Sequence, residues 1–459
     1  MQSFRYNKRN LDERNNRNMQ INSLEFIFGF LPLFLVIYYL IKEQYRGCVL
    51  LIGSLAFYGL SSGGNYWWPI LLAGVTLASY FASRFLGRHR KPWLLAFGLA
   101  LPAVLLIFFK LYDGGKHLPA GMSFFLFQIA AILIDVYRGK VKAEQNFVRF
   151  SNQVVMFPKL LSGPIADPVA LYEQERNWNN TWDRFAVGMQ NLILGLSLKV
   201  LLAGRIGGIW SQANLIGFTS ISTPYAWCAL IGWTMELYFD FYGYSLMAIG
   251  LGQMLGYDLP ANFLTPYASG SVSEFYRRWH VTLGAWFRNY LYIPLGGNRK
   301  GILRTILNLA VVWLFTGLWH GVGGNYLLWA LFLFLLIVNE RLWLNRVLEK
   351  IGPFRHVYVI FVILLSWIPF AVGDFGRMLE LIRKLFGGDG TINPMDYREL
   401  SNYIPMLLAG ILLATPLPSR LWNKIRRTPW SFAILLVLFW VVVYYISTAA
   451  QDPFLYFKY

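Results

Sequence analysis

Two histidines out of five carry the chemistry this chain could perform. His320 ends the apolar run Val311 to Trp319 and opens Gly321-Val322-Gly323-Gly324-Asn325, after which the next apolar segment begins at once. An ionisable side chain at membrane depth is a candidate functional group, the plainer reading being a hydrogen-bonded structural histidine. A neutral imidazole, with a pKa of about 6.5, can take a proton from a hydroxyl as that hydroxyl attacks a carbonyl. Desolvation would keep the ring neutral. His280 closes Glu274-Phe275-Tyr276-Arg277-Arg278-Trp279-His280, an amphipathic stretch that continues through Trp286-Phe287-Arg288-Asn289-Tyr290 to Ile293-Pro294-Leu295-Gly296-Gly297-Asn298-Arg299. It holds no apolar run long enough to span, so it reads as a helix on or dipping into the membrane interface, or simply as a surface anchor. His89, His117 and His356 sit in polar gaps and read as solvated loop residues.

Other chemistry is scarce. Glu236 and Asp240 stand four apart, on one helical face, where they could form a proton path or pair with arginines. There is no phosphate-binding Gly-x-x-x-x-Gly-Lys-Ser/Thr loop and no His-Glu-x-x-His zinc pair, and no metal is implied. Gly243-Tyr244-Ser245 continues as Leu-Met, so no Gly-x-Ser-x-Gly nucleophile elbow forms. Two cysteines, Cys48 and Cys228, both in apolar runs, exclude a disulfide framework.

The elements that must position these residues are membrane helices. Of 459 residues, 56% are hydrophobic and 14% charged, against about 25% charged in soluble domains. Apolar segments recur at about 25–41, 47–60, 67–83, 92–109, 118–136, 186–209, 224–256, 303–320, 322–339, 357–373, 402–416 and 430–447. A crossing helix needs about 20 apolar residues, and some of these runs are too short or carry Pro and Gly. The reading is an all-α, multi-spanning protein with about ten to twelve crossings plus re-entrant and interfacial helices. Residues 1–23 form a polar, basic extension, and 24–459 a single membrane domain. The first apolar run ends in Ile-Lys-Glu-Gln-Tyr rather than a small-residue cleavage site, so it reads as a retained span. The breaks at Leu118-Pro119-Ala120-Gly121 and from Phe157-Pro158 to Gly163-Pro164-Ile165 are expected to be re-entrant pieces lining a wet funnel. The net charge of +18 lies in short gaps between apolar runs. That pattern suits orientation and anionic headgroups of the bilayer, not nucleic acid. The early gaps hold ten basic residues on one side against seven on the other, which leans to an outside N-terminus. No internal repeat is apparent, which counts against an inverted-repeat transporter.

Several longer motifs stand out. They are Phe26-Ile27-Phe28-Gly29-Phe30-Leu31-Pro32, Leu118-Pro119 through Ser123-Phe124-Phe125, Asp135-Val136-Tyr137-Arg138-Gly139, Ser162-Gly163-Pro164-Ile165, Tyr238-Phe239-Asp240-Phe241-Tyr242-Gly243-Tyr244-Ser245, Arg278-Trp279-His280 through Arg299, and Gly317-Leu318-Trp319-His320-Gly321. On these motifs the chain resembles the membrane-bound O-acyltransferase (MBOAT) family from about Leu24 to Tyr459, and within it the bacterial polysaccharide O-acetyltransferases of the alginate type. The resemblance implies a ring of helices around a thinned centre, with funnels from both faces meeting near the catalytic histidine. It places that role on His320 and makes His280 the second catalytic histidine. Val322-Gly323-Gly324-Asn325 departs from the Ala and Trp that usually follow Trp-His-Gly in the family, and the N-terminal extension is also unusual. The related teichoic acid D-alanyl transferases share the Arg-Trp-His and Trp-His-Gly regions but lack Ile-Pro-Leu-Gly-Gly-Asn-Arg, which favours acetyl transfer to a sugar hydroxyl here.

The resemblance implies a multi-pass plasma-membrane enzyme. It would move an acyl group, acetyl by preference, from a cytoplasmic thioester to an extracellular or cell-wall polysaccharide. No permanently bound cofactor is implied. The donor would be acetyl-coenzyme A or another acyl thioester, such as one on an acyl carrier protein. A secreted SGNH-type acetyltransferase would be a partner. Arg288 and Arg299, with Trp319 and Asn289, are candidate substrate contacts. Tyr456, in the aromatic stretch Pro453-Phe454-Leu455-Tyr456-Phe457-Lys458-Tyr459, is either an interfacial anchor or a relay that accepts the acyl group as a phenolic ester. The rival from another class is a transporter or flippase for a lipid-linked glycan, which would leave Trp319-His320-Gly321 unexplained.

Overall fold

The computed structural model describes residues 19–112, 117–387 and 394–448. Helices succeed one another along the chain, and among the described residues the only β-type pairing is an isolated antiparallel bridge between Phe263 and Trp279. Among the described residues, seven helices are long and apolar enough to cross a membrane: Trp67–His89, Pro92–Leu111, Trp182–Ile216, Gly301–His320, Gly324–Lys350, Phe354–Ala371 and Pro429–Thr448. Pro394–Leu413 and Leu417–Ile425, bent by 72° at their junction, would make an eighth. That is fewer than the apolar runs suggest, because a run is not a span. Glu25–Leu40 and Met122–Tyr137 are too short, and the 32-residue helix Thr223–Met254 carries Glu236 and Asp240 and does not pass on apolarity.

The described residues fall into two compact units. One lies within Met1–Met189, Met247–Leu259 and Ile446–Pro453, the other within Gln190–Leu246, Pro260–Tyr445 and Phe454–Tyr459. In the first unit, Phe157 packs its ring against Phe26, Phe30, Phe34 and Phe57 at centroid distances of 5.2–6.2 Å. Residues 1–18 of the N-terminal extension lie outside the described residues. Its end is tied down, with the Ser61 hydroxyl donating to the Met19 carbonyl (2.7 Å) and the Ser23 hydroxyl accepting from Phe26 N (3.2 Å).

The two Pro/Gly breaks pack on each other in this unit. Gly121 has φ +72°, and a Cβ there would meet the Leu160 carbonyl oxygen at 2.3 Å, so only glycine fits. Broken backbone needs partners where water is excluded, and side chains supply them. Tyr58 donates to the Ala120 carbonyl (3.0 Å), Ser54 accepts from Phe157 N (3.0 Å), and Gln128 donates to the Ala166 carbonyl (3.0 Å). Residues 157–166 are buried throughout, and the void beside Lys159 and Gly163 is about 10 Å³. The expectation of a wet funnel thus meets buried backbone bonded by protein side chains at 157–166, while residues 118, 120 and 121 are half-buried.

Candidate active site

The second unit builds its site from a helix that stops short of its own momentum. Val272–Arg278 starts at Ser271, whose hydroxyl accepts from Glu274 N (3.0 Å), while the Glu274 carboxylate turns back to accept from Gly270 N (2.8 Å), a variant of the capping box. The buried Glu340 carboxylate, reaching in from the helix Gly324–Lys350, accepts from Val272 N (2.6 Å), Ser273 N (2.9 Å) and the Ser273 hydroxyl (2.8 Å). An anion at a helix N-terminus meets both the free N–H groups and the helix dipole. The helix ends at Trp279, which is extended, and His280 takes φ +45° and ψ +53° before Val281–Phe287 begins. That left-handed conformation is rare for a residue with a Cβ. Leu264 N donates to the Arg278 carbonyl (3.0 Å) and Val281 N to the Asn262 carbonyl (2.9 Å), clamping the reversal from both sides.

His320 is the last residue of the helix Gly301–His320. Gly321 follows in extended backbone, and a Cβ there would lie 2.4 Å from the Tyr326 ring. The close turn into Gly324–Asn339 thus depends on glycine. Asn325 then donates to the Pro369 carbonyl (3.1 Å). This contact gives the departing stretch Val322-Gly323-Gly324-Asn325 a packing solution of its own. His320 is 8% exposed and set among aromatic rings, with Trp319 at 4.5 Å, Phe370 at 4.9 Å, Trp329 at 5.0 Å and Tyr326 at 6.4 Å.

A chamber of about 820 Å³ brings His280 and His320 into one lining. Most of its wall is apolar and aromatic, including Leu237, Trp279, Leu283, Trp313, Trp329, Trp367 and Phe370. Arg277, Arg288 and Arg341 also line it. The arginines are exposed and the histidines buried, so positive charge sits where the chamber meets solvent or headgroups and the imidazoles sit within. A pocket of this size, with a few convergent polar groups in an apolar wall, is the usual form of a small-molecule site. Burial pushes the pKa of His280 down to about 3, so its ring is neutral.

The other sequence candidates are placed unequally. Trp319 is not part of the lining, but its ring lies 4.5 Å from that of His320 and 6.2 Å from that of His280. Asn289 sits half-buried in the π-helical turn Arg288–Tyr292, outside the lining. Arg299 is exposed beyond the Gly296-Gly297 turn and does not line the chamber. Tyr456 lies outside the described residues. Asp240 pairs with the buried Lys199. His356 is half-buried and bonded to the Ser269 carbonyl (2.9 Å) instead of loop-solvated. Among the described residues, no three His, Cys, Asp or Glu side chains gather as a metal site would need. Arg341 and Asn262 went unmarked in the sequence. Arg341 hides at the end of a long apolar run, and Asn262 lies in a loop with no periodicity to single it out.

The family model described as the membrane-bound O-acyltransferase family matches residues 93–370, which hold both histidines and every residue that lines the chamber. A protein named "Probable alginate O-acetylase" from Pseudomonas putida is 32% identical, covering 96% of this chain and 100% of that protein. One of the same name from Pseudomonas aeruginosa is 35% identical over 80% of this chain and 75% of its own length. A peptidoglycan O-acetyltransferase from Helicobacter pylori is 28% identical, with 86% of each chain covered. A buried histidine pair in one arginine-rimmed chamber, inside a helical multi-pass membrane protein with these relatives, places the chain in the membrane-bound O-acyltransferase family as an O-acyltransferase.

Proposed function

We propose that the chain transfers an acetyl group from a cytoplasmic acyl thioester toward a hydroxyl of an extracellular or cell-wall polysaccharide, at the plasma membrane. The observation that carries this reading is the single chamber lined by His280, His320 and three arginines. The relatives named as O-acetylases and O-acetyltransferases support acetyl as the group and a polysaccharide as the acceptor. The donor is acetyl-coenzyme A or an acetyl thioester on a carrier protein. Both carry phosphate, which the exposed guanidinium groups of Arg288, Arg277 and Arg341 suit in charge and geometry.

In the reaction, His320 accepts the proton of the attacking hydroxyl as its oxygen bonds to the thioester carbonyl carbon. The carbon–sulfur bond then breaks and the sulfur leaves as thiolate. A thiol pKa of about 8.5 means that departure needs little acid assistance. His280, neutral and fixed on its clamped turn, orients the acceptor. The apolar aromatic wall keeps water from competing for the thioester. The immediate acceptor is either the polysaccharide itself or a secreted SGNH-type partner that completes the transfer. Tyr456 is the candidate for an intermediate carrier. The functional test is acetyl analysis of the cell's extracellular glycans with the gene intact and deleted. Loss of ester-linked acetyl on deletion, restored by the wild-type gene, is the expected result. Unchanged acetylation would overturn the assignment.

A further inference from the structure

We propose that Asn262 is a positioning residue for His280, its side-chain carbonyl holding the ring in the tautomer protonated at Nδ1 and so leaving Nε2 as the basic nitrogen. The proposal rests on the reading of His280 as part of the acyl-transfer site. It deepens that reading by naming the group that sets the ring's chemistry.

The geometry is specific. Asn262 is 1% exposed. Its Oδ1 lies 3.3 Å from His280 Nδ1, 2.6 Å from the Thr282 hydroxyl and 3.4 Å from Thr282 N. The last contact fixes the amide's orientation. A backbone N–H can only donate, so the Asn262 atom facing it must be the carbonyl oxygen rather than the NH₂ group. An oxygen acceptor opposite Nδ1 requires the proton to be on Nδ1, and in a neutral ring the other nitrogen then holds the lone pair. The backbone reinforces the side chain, because the Asn262 carbonyl accepts from Val281 N (2.9 Å) and Phe263 bridges to Trp279. His280 is thereby held in its left-handed conformation from the same segment that sets its tautomer. Strained backbone of this kind persists only where the surroundings over-determine it. The ring of Phe241, edge-on at a centroid distance of 4.8 Å, packs against the imidazole as well.

The nearby charges are Arg277 and Arg278 on the preceding helix, the latter bonded to Glu274, with Arg288, Arg341 and His320 on the chamber wall. The arginines carry donors only, so they cannot act as the acceptor at Nδ1. A carboxylate at position 262 would keep the acceptor and add a negative charge, favouring the protonated ring.

The test uses the full-length protein in membranes. Asn262→Ala should lower acyl transfer by about tenfold or more, the scale on which partners that orient a functional histidine act at metal sites. Its effect should be absorbed in a His280→Ala background. Asn262→Asp should restore much of the rate at high pH, with the acid limb of the pH–rate profile displaced upward. A purely structural role for Asn262 would move protein yield without moving that limb. In wild-type protein labelled with nitrogen-15 at histidine, the signal that His280→Ala removes should report a proton on Nδ1. This measurement needs no Asn262 variant, so it decides the question even where those variants fail to accumulate, and a proton on Nε2 would overturn the proposal. If His280→Ala transfers normally, the reading of the site itself fails. If His280→Ala is impaired while both Asn262 variants keep the wild-type rate and pH profile, only the role of Asn262 fails.

Discussion

The ring of Trp319 lies 6.2 Å from that of His280, although the two belong to different helical segments, and 4.5 Å from that of its neighbour His320. One indole thus packs near both histidines of the chamber. Replacing Trp319 with Leu would remove that shared packing partner while leaving both imidazoles in the chain. Truncating a buried aromatic to a smaller side chain leaves a cavity and costs a few kcal/mol. Transfer activity should fall along with thermal stability in detergent. Full activity with lowered stability would show that Trp319 contributes packing alone.

Arg288 and Arg341 approach the chamber from separate π-helical turns, Arg288–Tyr292 and Glu340–Leu344. If they hold donor phosphates, Arg288→Ala and Arg341→Ala should each raise KM for the thioester by about tenfold, the range expected for a charged hydrogen bond. The maximal rate should change little. Arg299→Ala, outside the lining, should leave KM alone. Initial-rate kinetics with acetyl-coenzyme A and with an acetylated carrier protein would also separate the two donors.

Gly321 touches Tyr326 so closely that a methyl group cannot be added without movement. Gly321→Ala should destabilise the protein by about 1–3 kcal/mol through overpacking and reduce transfer by displacing His320. Thermal unfolding and activity of Gly321→Ala, alone and with Tyr326→Ala, provide the check. Partial recovery in the double variant is the expected result.

His280 contributes a pH dependence to stability. Its folded pKa, about 3, lies below the unfolded value of about 6.5. The unfolded chain therefore binds more protons between these two values, so stability is full above pH about 6.5 and falls as the pH drops toward 3. Unfolding temperatures between pH 7.5 and 5 should decline for the wild type and decline less steeply for His280→Gln. Parallel profiles would contradict the burial of a neutral ring. On activity, His280→Ala should cost less than the change at His320.

Tyr456→Phe removes only a hydroxyl. If Tyr456 relays the acyl group, this variant stops transfer. A wild-type rate would rule out the relay.

How much of this was legible in the sequence varies with the kind of interaction. His320 could be found because an ionisable residue between two apolar runs is conspicuous. His280 gained its meaning only through resemblance, since an amphipathic stretch rich in Arg and Trp equally describes an interfacial anchor. Asn262 gave no signal, because its partner is brought to it by a backbone reversal that periodicity does not encode. Lys199 was likewise invisible as the partner of Asp240. The breaks at 118–121 and 157–164 were recognisable as interruptions, yet the hydroxyls and amide that satisfy them, from Tyr58, Ser54 and Gln128, come from other helices. Those partners stand far along the chain, so the interrupted runs do not reveal them. Arg341 escaped notice because the run before it looks like lipid-facing helix to its end.

In the proposed reaction His320 removes the proton from the attacking hydroxyl. The direct measurement is acyl transfer by purified His320→Ala in proteoliposomes, at matched protein level and with unfolding temperature close to wild type. A positioned general base contributes about 10²–10⁴-fold. A loss of that order is expected, with Arg299→Ala prepared in parallel remaining active. Transfer at the wild-type rate by folded His320→Ala would contradict it.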